Sequence, residues 1–210
     1  MARVEGLHVL ADDAPRWKHD PVAQAEAACA GGARVVQLRA KHATDVEALA
    51  WARAIRRVTA RHEVSFIVND RFDLALLAEA DGVHLGQDDL PPTRLPAAAR
   101  ARLCVGRSTH DARQAAAATH EGVDYVAFGP LFGTTSKSSA YDERGLEALR
   151  EIAVSVAPLP LVAIGGIDAV RIAAVRAAGA TGVAVISVVA GADDPEAATR
   201  ALVAAFEGSE

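Results

Sequence analysis

Short apolar runs alternate along this chain with longer segments of mixed polarity. Eight runs stand out, and they have the sequences GLHVLAD, VVQLRAK, SFIVND, GVHLGQDD, LCVGRS, YVAFGP, LVAIGGI and GVAVIS. Their nearly continuous Val, Ile and Leu content is typical of parallel strands that are covered on both faces. Polar, charged or glycine residues cluster just past the C-terminal end of most runs. We therefore predict parallel β-strands with functional side chains at their C-terminal ends.

The segments between these runs predict helices. The expected helical ranges are 21–30, 44–60, 72–80, 95–102, 111–120, 145–156, 169–178 and 195–206. Several starts carry N-cap or N1 signatures, such as Asp20 before Pro21, Thr44, and Asp194 before its own proline. Gly31, Gly122 and Gly179 stand where C-caps are expected.

Eight strand–helix units without a break in composition predict a (β/α)8 TIM barrel that spans residues 1–210 as a single domain. A doubly wound open sheet is the alternative, but GxGxxG is missing after the first run and GxxxxGK[ST] is missing throughout. A barrel of this kind has its active site on the C-terminal face of the strands. Residues 131–142 form an unusually long connection, which is typical of lids and binding loops.

Composition narrows the classes of partner. The net charge of -5 and an aromatic content of 4% argue against a nucleic-acid binder. Apolar runs stay too short for a membrane span, and the first residues lack a secretory signal pattern. Two cysteines without zinc-type spacing favour reduced thiols. We expect a cytoplasmic protein, and its oligomeric state, including a homo-oligomer, stays open.

The second run ends in a cationic cluster. Alternation along a strand puts Gln37, Arg39 and Lys41 on the same side. An amide, a guanidinium and an ammonium group that converge at a barrel mouth suit a polyanion. The structural alternative is a solvated strand end in which Arg39 pairs with a carboxylate of the barrel.

Acidic residues follow the next two runs. Asn69 and Asp70 end the third run, and Asp88 and Asp89 end the fourth. Carboxylates from neighbouring strand ends can share one Mg²⁺ ion, which prefers one or two carboxylates together with water and phosphate oxygens. Capping is the alternative role for Asp70 at a helix and for the later pair at a turn. The sequence does not choose between Asp88 and Asp89.

The last runs add hydroxyl and glycine groups. Ser108 can bond a phosphate oxygen, and His110 can act as a general acid or base, although it could also be a rim residue of a helix. Gly166 and Ser187 end the seventh and eighth runs, where barrels of this class commonly bind phosphate. Close packing of glycines is the structural alternative there, and His84 is expected to be a satisfied barrel histidine.

Together these motifs resemble the thiamine phosphate synthase family and its relatives, the thiazole tautomerases. The resemblance covers essentially the whole chain and rests on QLRAK, NDRFDLAL, ADGVHLGQDD, GRSTH, GPLFGTTSK, AIGGI and GVAVIS. It implies a TIM barrel that joins 4-amino-2-methyl-5-pyrimidinylmethyl diphosphate to a thiazole phosphate, with release of pyrophosphate. Small phosphorylated molecules would then be the partners.

The resemblance also assigns roles by position. It implies that the pyrimidine diphosphate contacts Gln37, Arg39, Lys41, Asn69, Ser108 and Lys137. It implies that Asp70 and Asp89 hold Mg²⁺. The implied thiazole phosphate site comprises Thr134, Thr135, Ser136, Gly166, Ile186 and Ser187.

Two positions depart from the family pattern. Gly133 stands where the loop usually has proline, and Arg107 precedes Ser108 where we expect a small apolar residue. The GRSTH segment also resembles the tautomerase branch, so an isomerase that uses His110 is the alternative function. A non-catalytic ligand-binding barrel is the third hypothesis, and loss of the charged strand-end residues would mark it.

Overall fold

A closed parallel barrel is the frame of this protein, as a computed structural model describes it for residues 2–133 and 141–208. Within these residues each strand pairs with the next one along the chain, and the last strand pairs back to the first. The strands are β1 (Gly6–Asp12), β2 (Val35–Arg39), β3 (Ser65–Asn69), β4 (Gly82–Leu85), β5 (Cys104–Thr109), β6 (Tyr125–Phe128), β7 (Leu161–Ile164) and β8 (Gly182–Val185). The predicted (β/α)8 barrel is confirmed.

Helices connect the strands on the outside of the barrel. They are α1 (Pro21–Ala30), α2 (Asp45–His62), α3 (Phe72–Leu77), α4 (Ala97–Arg100), α5 (Ala112–His120), α6 (Gly145–Val156), α7 (Ile172–Ala177), α8 (Ser187–Ala190) and α9 (Pro195–Glu207). The predicted N-caps are confirmed, since Asp20, Thr44 and Asp194 each accept a hydrogen bond from backbone N–H groups of the first turn. None of the helices in the described ranges has the length and apolar content needed to cross a membrane.

One helical prediction and one strand prediction were wrong in detail. The expected helix over 95–102 is a 3₁₀ turn (Pro92–Arg94) followed by the single turn of α4, with Leu95 extended between them. Pro96 accounts for this break, because a residue before proline avoids the helical region. The eighth apolar run also ends early: β8 stops at Val185, and Ser187 is the first residue of the short helix α8.

Strand alternation divides the buried apolar side chains into two clusters. The larger cluster lies between the strands and the surrounding helices. The smaller one includes the barrel-interior residues Leu10, Val35, Ile67, Tyr125, Val162 and Ala184. Tyr125 occupies space that Gly106 leaves free, since a Cβ atom on that glycine would lie 2.1 Å from the Tyr125 ring. The filled interior puts the functional pocket above it, at the C-terminal ends of the strands.

Candidate active site

A cavity of about 350 Å³ opens at the C-terminal face of the barrel. Residues at or after the ends of seven strands contribute to its wall, and they include Lys41, Asp70, Asp89, Ser108, His110, Pro130, Gly166, Ile186 and Ser187. Cationic and anionic groups lie on the β2 to β5 side, and glycine-rich backbone lies on the β7 to β8 side. The pocket therefore joins most of the strand ends that the sequence singled out.

Two carboxyl groups meet in this pocket. Burial, followed by a hydrogen bond with the Asp70 side chain, raises the pKa of Asp89 above its ordinary value. Lys41 forms an ion pair with Asp70 on the other side. In the described ranges these carboxylates do not belong to a cluster of three or more His, Cys, Asp or Glu side chains suited to a metal. A pair of this kind matches the few protein ligands that Mg²⁺ requires.

The backbone presents Asp70 in an unusual conformation. Its φ of 65° lies in the left-handed region, and its N–H group donates to the His84 carbonyl oxygen at 2.7 Å. Helix α3 has Arg71 as its N-cap and receives no side-chain cap. The capping alternative for Asp70 is therefore wrong, and the carboxylate is directed to the pocket and Lys41 instead.

Asp89 closes a tight turn as well as lining the pocket. Its Oδ2 atom accepts a hydrogen bond from the Gly86 N–H group at 2.6 Å. Its own N–H group donates back to the Gly86 carbonyl oxygen at 3.4 Å. Asp88 also lines the pocket, but Asp89 is the residue that interacts with Asp70. Asp89 therefore caps the turn, as the structural alternative predicted, and also belongs to the acidic pair.

Ser108 is held by a buried hydrogen-bond chain. Its Oγ atom lies 2.8 Å from Nε2 of His84, and Nδ1 of that histidine lies 2.9 Å from the Tyr125 hydroxyl. The Gln87 side chain donates to the Ser108 carbonyl oxygen at 2.6 Å. The prediction that His84 is a satisfied barrel histidine is confirmed. Its contact with Ser108 fixes that hydroxyl at the pocket wall.

Arg39 is engaged in an ion pair. Its Nη1 atom lies 2.5 Å from Oδ2 of Asp12, whose side chain is fully buried. Asp12 also accepts from the Trp17 indole N–H group at 2.6 Å. The pairing of Arg39 with a carboxylate of the barrel is confirmed, but the strand end is not solvated there, since the Arg39 side chain is only 13% exposed. Arg39 is not among the residues that line the pocket.

Gln37 and Asn69 also lie outside the pocket lining. Gln37 is buried in β2, and its Oε1 atom has no hydrogen-bond partner within the described part of the chain. Asn69 is the last residue of β3, directly before Asp70, and is half-buried. Contact of Gln37, Arg39 and Asn69 with a substrate stays a prediction.

The opposite wall consists largely of backbone. Gly165 and Gly166 have φ values of 103° and 62°, which favour glycine. A Cβ atom on Gly166 would lie 2.6 Å from the Gly133 carbonyl oxygen, so the two loops approach closely. Ile186 and Ser187, at the start of α8, complete this wall. The predicted ligands Thr134, Thr135, Ser136 and Lys137 lie outside the described residues.

A pair of stacked rings borders the pocket, and the sequence did not predict this pair. The rings of His110 and Tyr141 stack with centroids 3.9 Å apart. Nδ1 of His110 donates to the Gly129 carbonyl oxygen at 2.6 Å. Tyr141 belongs to the long connection after β6, and a lone tyrosine in a polar loop carries no signal of this contact. Arg107, by contrast, is buried away from the pocket lining.

Comparison with known proteins gives consistent matches. A family model described as thiamine monophosphate synthase matches residues 7–189. The thiamine-phosphate synthase of Anaeromyxobacter dehalogenans is 49% identical over 208 residues, which cover 98% of this chain and 90% of that protein. The thiamine-phosphate synthase of Methanoculleus marisnigri is 46% identical over 196 residues, with 93% and 92% coverage.

A solved structure agrees with these matches. The thiamine phosphate pyrophosphorylase from Pyrococcus furiosus superposes with a TM-score of 0.86 at 36% sequence identity. The alignment covers 97% of this chain and 96% of that one. The similarity therefore extends over nearly the whole barrel, including all the strand ends that form the pocket.

Proposed function

The chain belongs to the thiamine monophosphate synthase family, and from this premise we propose that it is a transferase that makes thiamine phosphate. It would join 4-amino-2-methyl-5-pyrimidinylmethyl diphosphate to a thiazole phosphate and release pyrophosphate. One observation supports this activity above the others. A single pocket has Lys41 and the acidic pair on one wall and the glycine-rich ends of β7 and β8 on the opposite wall.

These two walls suit two phosphorylated substrates. Lys41 and the Ser108 hydroxyl would contact the diphosphate on the β2 to β5 side. Backbone N–H groups near Gly166 and Ser187 would receive the phosphate of the thiazole, because the glycine leaves room for close approach. The reacting carbon and nitrogen would then lie between the walls, which is the arrangement that lowers the entropic part of the barrier.

The acidic pair fits a Mg²⁺ ion. Asp70 and Asp89 are close enough to hydrogen-bond, and burial, followed by this hydrogen bond and the negative charge of Asp70, raises the pKa of Asp89. We expect both carboxylates to hold the ion, with water and diphosphate oxygens as its other ligands. Bound magnesium would supply positive charge against the negative charge that develops on the leaving pyrophosphate.

The protein's own groups would do the rest. The bond between the methylene carbon and the diphosphate oxygen breaks as the pyrimidine amino group donates electrons, which gives a carbocation. Lys41 and Ser108 stabilise the departing pyrophosphate through charge and a hydrogen bond. The thiazole nitrogen then forms the new carbon–nitrogen bond. No protein nucleophile is required, since the ring nitrogen supplies the electron pair.

Arg39 would act in the same direction. Its guanidinium group carries positive charge near the strand ends and is fixed by the buried Asp12. Charges that are held before the reaction need no reorganisation when the transition state forms. We expect Gln37, Asn69 and Lys137 to contribute further contacts to the diphosphate, as the family resemblance implies.

The tautomerase alternative has less support. All the named relatives are synthases or the corresponding pyrophosphorylase. His110 reaches the pocket, but its Nδ1 atom is engaged by Gly129 and its ring by Tyr141. A non-catalytic barrel would have lost charged strand-end residues, and Lys41, Asp70 and Asp89 are all present.

Pyrophosphate release tests the proposed activity. Purified protein would be given both substrates, with magnesium or with EDTA, and each substrate alone as a control. We expect release that needs magnesium and the thiazole phosphate together. Release in EDTA would refute the role of the acidic pair. No release in any mixture, with turnover of a thiazole carboxylate phosphate that is lost in His110→Ala, would instead establish the tautomerase.

Partners, cellular location and oligomeric state are expectations. Small phosphorylated molecules would be the partners, and a cytoplasmic location stays a prediction. A homo-oligomer would be detected by light scattering of the purified protein.

A further inference from the structure

Arg107 is a buried cation directly behind the pocket. It precedes Ser108 on β5, and alternation along the strand puts the two side chains on opposite sides. Ser108 lines the pocket, whereas Arg107 points outward and is only 5% exposed. A guanidinium group is costly to bury unless its surroundings compensate the charge. The partners of Arg107 therefore show what it does.

Two groups receive the guanidinium. Its Nη1 atom donates to the carbonyl oxygen of Gly86 at 2.6 Å. Its Nε atom lies 3.2 Å from Oε2 of Glu121, at the C-terminal end of α5. The second contact is an ion pair without hydrogen-bond geometry at those atoms. The directional bond is thus the one to Gly86, and Glu121 supplies the opposite charge.

Gly86 is the residue around which the Asp89 turn is built. Its carbonyl oxygen accepts both from Arg107 and from the Asp89 N–H group, and its own N–H group donates to the Asp89 carboxylate. A Cβ atom on Gly86 would lie 3.1 Å from that carboxylate oxygen, so the approach is tight. Arg107 is therefore separated from Asp89 by a single residue.

Stability alone gives a poor account of this arrangement. Replacing a buried ion pair by apolar side chains of similar volume is often neutral or stabilising. The Arg107 side chain could then be apolar without loss of the barrel. Its one directional bond goes to the turn that presents a carboxylate to the pocket, and groups that orient a ligand in this way strongly affect metal affinity.

We propose that Arg107, balanced by Glu121, is a positioning residue that holds the Gly86–Asp89 turn so that Asp89 faces Asp70 and the cation between them. The inference rests on the proposed function, because it takes the acidic pair as the cation site. It does not require Arg107 to touch a substrate. It assigns the unusual arginine a task that an apolar side chain cannot perform.

Direct binding of Mn²⁺ tests the proposal without turnover. Binding is measured as the decrease of the electron paramagnetic resonance signal of free Mn²⁺. The whole protein would be compared with R107M, with R107M/E121Q and with D89N. The double variant removes the uncompensated carboxylate and so separates positioning from misfolding. R100M is the matched control, because Arg100 donates to the Gly122 carbonyl oxygen beside Glu121 but is not bonded to the Gly86 turn.

We expect the Kd for Mn²⁺ to rise about tenfold in R107M and in the double variant, the lower end of the range for groups that orient metal ligands. R100M should bind like the wild type, and D89N should lose most binding. Wild-type affinity in both Arg107 variants, with D89N impaired, would overturn the positioning role and leave the proposed function intact. Failure of the wild type to bind Mn²⁺, or full binding by D89N, would overturn both.

Discussion

His8 makes the stability of this barrel depend on pH. It lies on β1 in the barrel interior, is 1% exposed, and packs edge-on against Tyr125. Its Nε2 atom donates to the Val4 carbonyl oxygen at 2.6 Å. Burial lowers the pKa of His8 from 6.5 to about 4, although the bond to Val4 acts in the opposite direction. The folded barrel therefore holds this imidazole in its neutral form.

The sign of the effect follows from proton binding. Below pH 6.5 an unfolded chain protonates this histidine, whereas the folded chain does so only near pH 4. Acidification therefore favours the unfolded state. Relative to neutral pH, titration of His8 alone lowers the free energy of unfolding by about 2 kcal/mol at pH 5 and by about 3 kcal/mol at pH 4. Above pH 7 the contribution is constant.

Urea unfolding of the wild type and of His8→Gln at pH 7, 6 and 5 measures this loss. Glutamine is neutral at every pH and keeps a donor for the Val4 carbonyl oxygen. Other titrating groups are common to both proteins, so the difference between their free energies of unfolding isolates His8. We expect the difference, wild type minus variant, to fall by about 2 kcal/mol from pH 7 to pH 5. A difference that stays constant over this range would refute the assignment of a neutral buried imidazole.

Three further substitutions test the site and its support. Asp89→Asn should reduce magnesium-dependent pyrophosphate release by about 100-fold, and an unchanged rate would contradict the cation site. The same substitution should raise the melting temperature of the metal-free protein in scanning fluorimetry, because it removes a negative charge that repels Asp70. Asp12→Asn should cost about 3–5 kcal/mol in urea unfolding, because it removes the fully buried partner of Arg39, whose own side chain is only 13% exposed; a loss below about 1 kcal/mol would show that solvent compensates the arginine. Gly106→Ala should lower the free energy of unfolding by about 1–3 kcal/mol, since the new Cβ would overlap the Tyr125 ring. A urea midpoint equal to that of the wild type would refute that packing.

The sequence was sufficient to predict the architecture because the strands of a parallel barrel have a recognisable apolar pattern. Strands that are covered on both faces need continuous apolar runs, and those runs matched β1 to β8. Short helical elements were harder. The pattern around α4 depends on Pro92 and Pro96, and only one polar residue, Ser187, stands between β8 and the apolar residues of α8. Periodicity cannot separate such short segments from their neighbours.

The site was predictable as a set of positions rather than as a set of contacts. Position after a strand was enough to bring Lys41, Asp70 and Asp89 to one pocket. It could not identify Asp12 as the partner of Arg39, because alternation gives the side of a strand but not the neighbour that is reached. The choice of Asp89 over Asp88 depends on turn geometry at Gly86, which composition does not encode. Their roles toward substrates remain predictions.

The plugged interior of the barrel has a consequence for molecular traffic. Tyr125 and the buried side chains around it fill the space beneath the pocket, so the described residues leave the C-terminal face as the route in and out. Two substrates must enter and two products must depart through the same mouth. Whatever lies deepest can then leave only after whatever covers it. Where one bound molecule lies beneath the other, a single mouth favours an ordered sequence of binding and release.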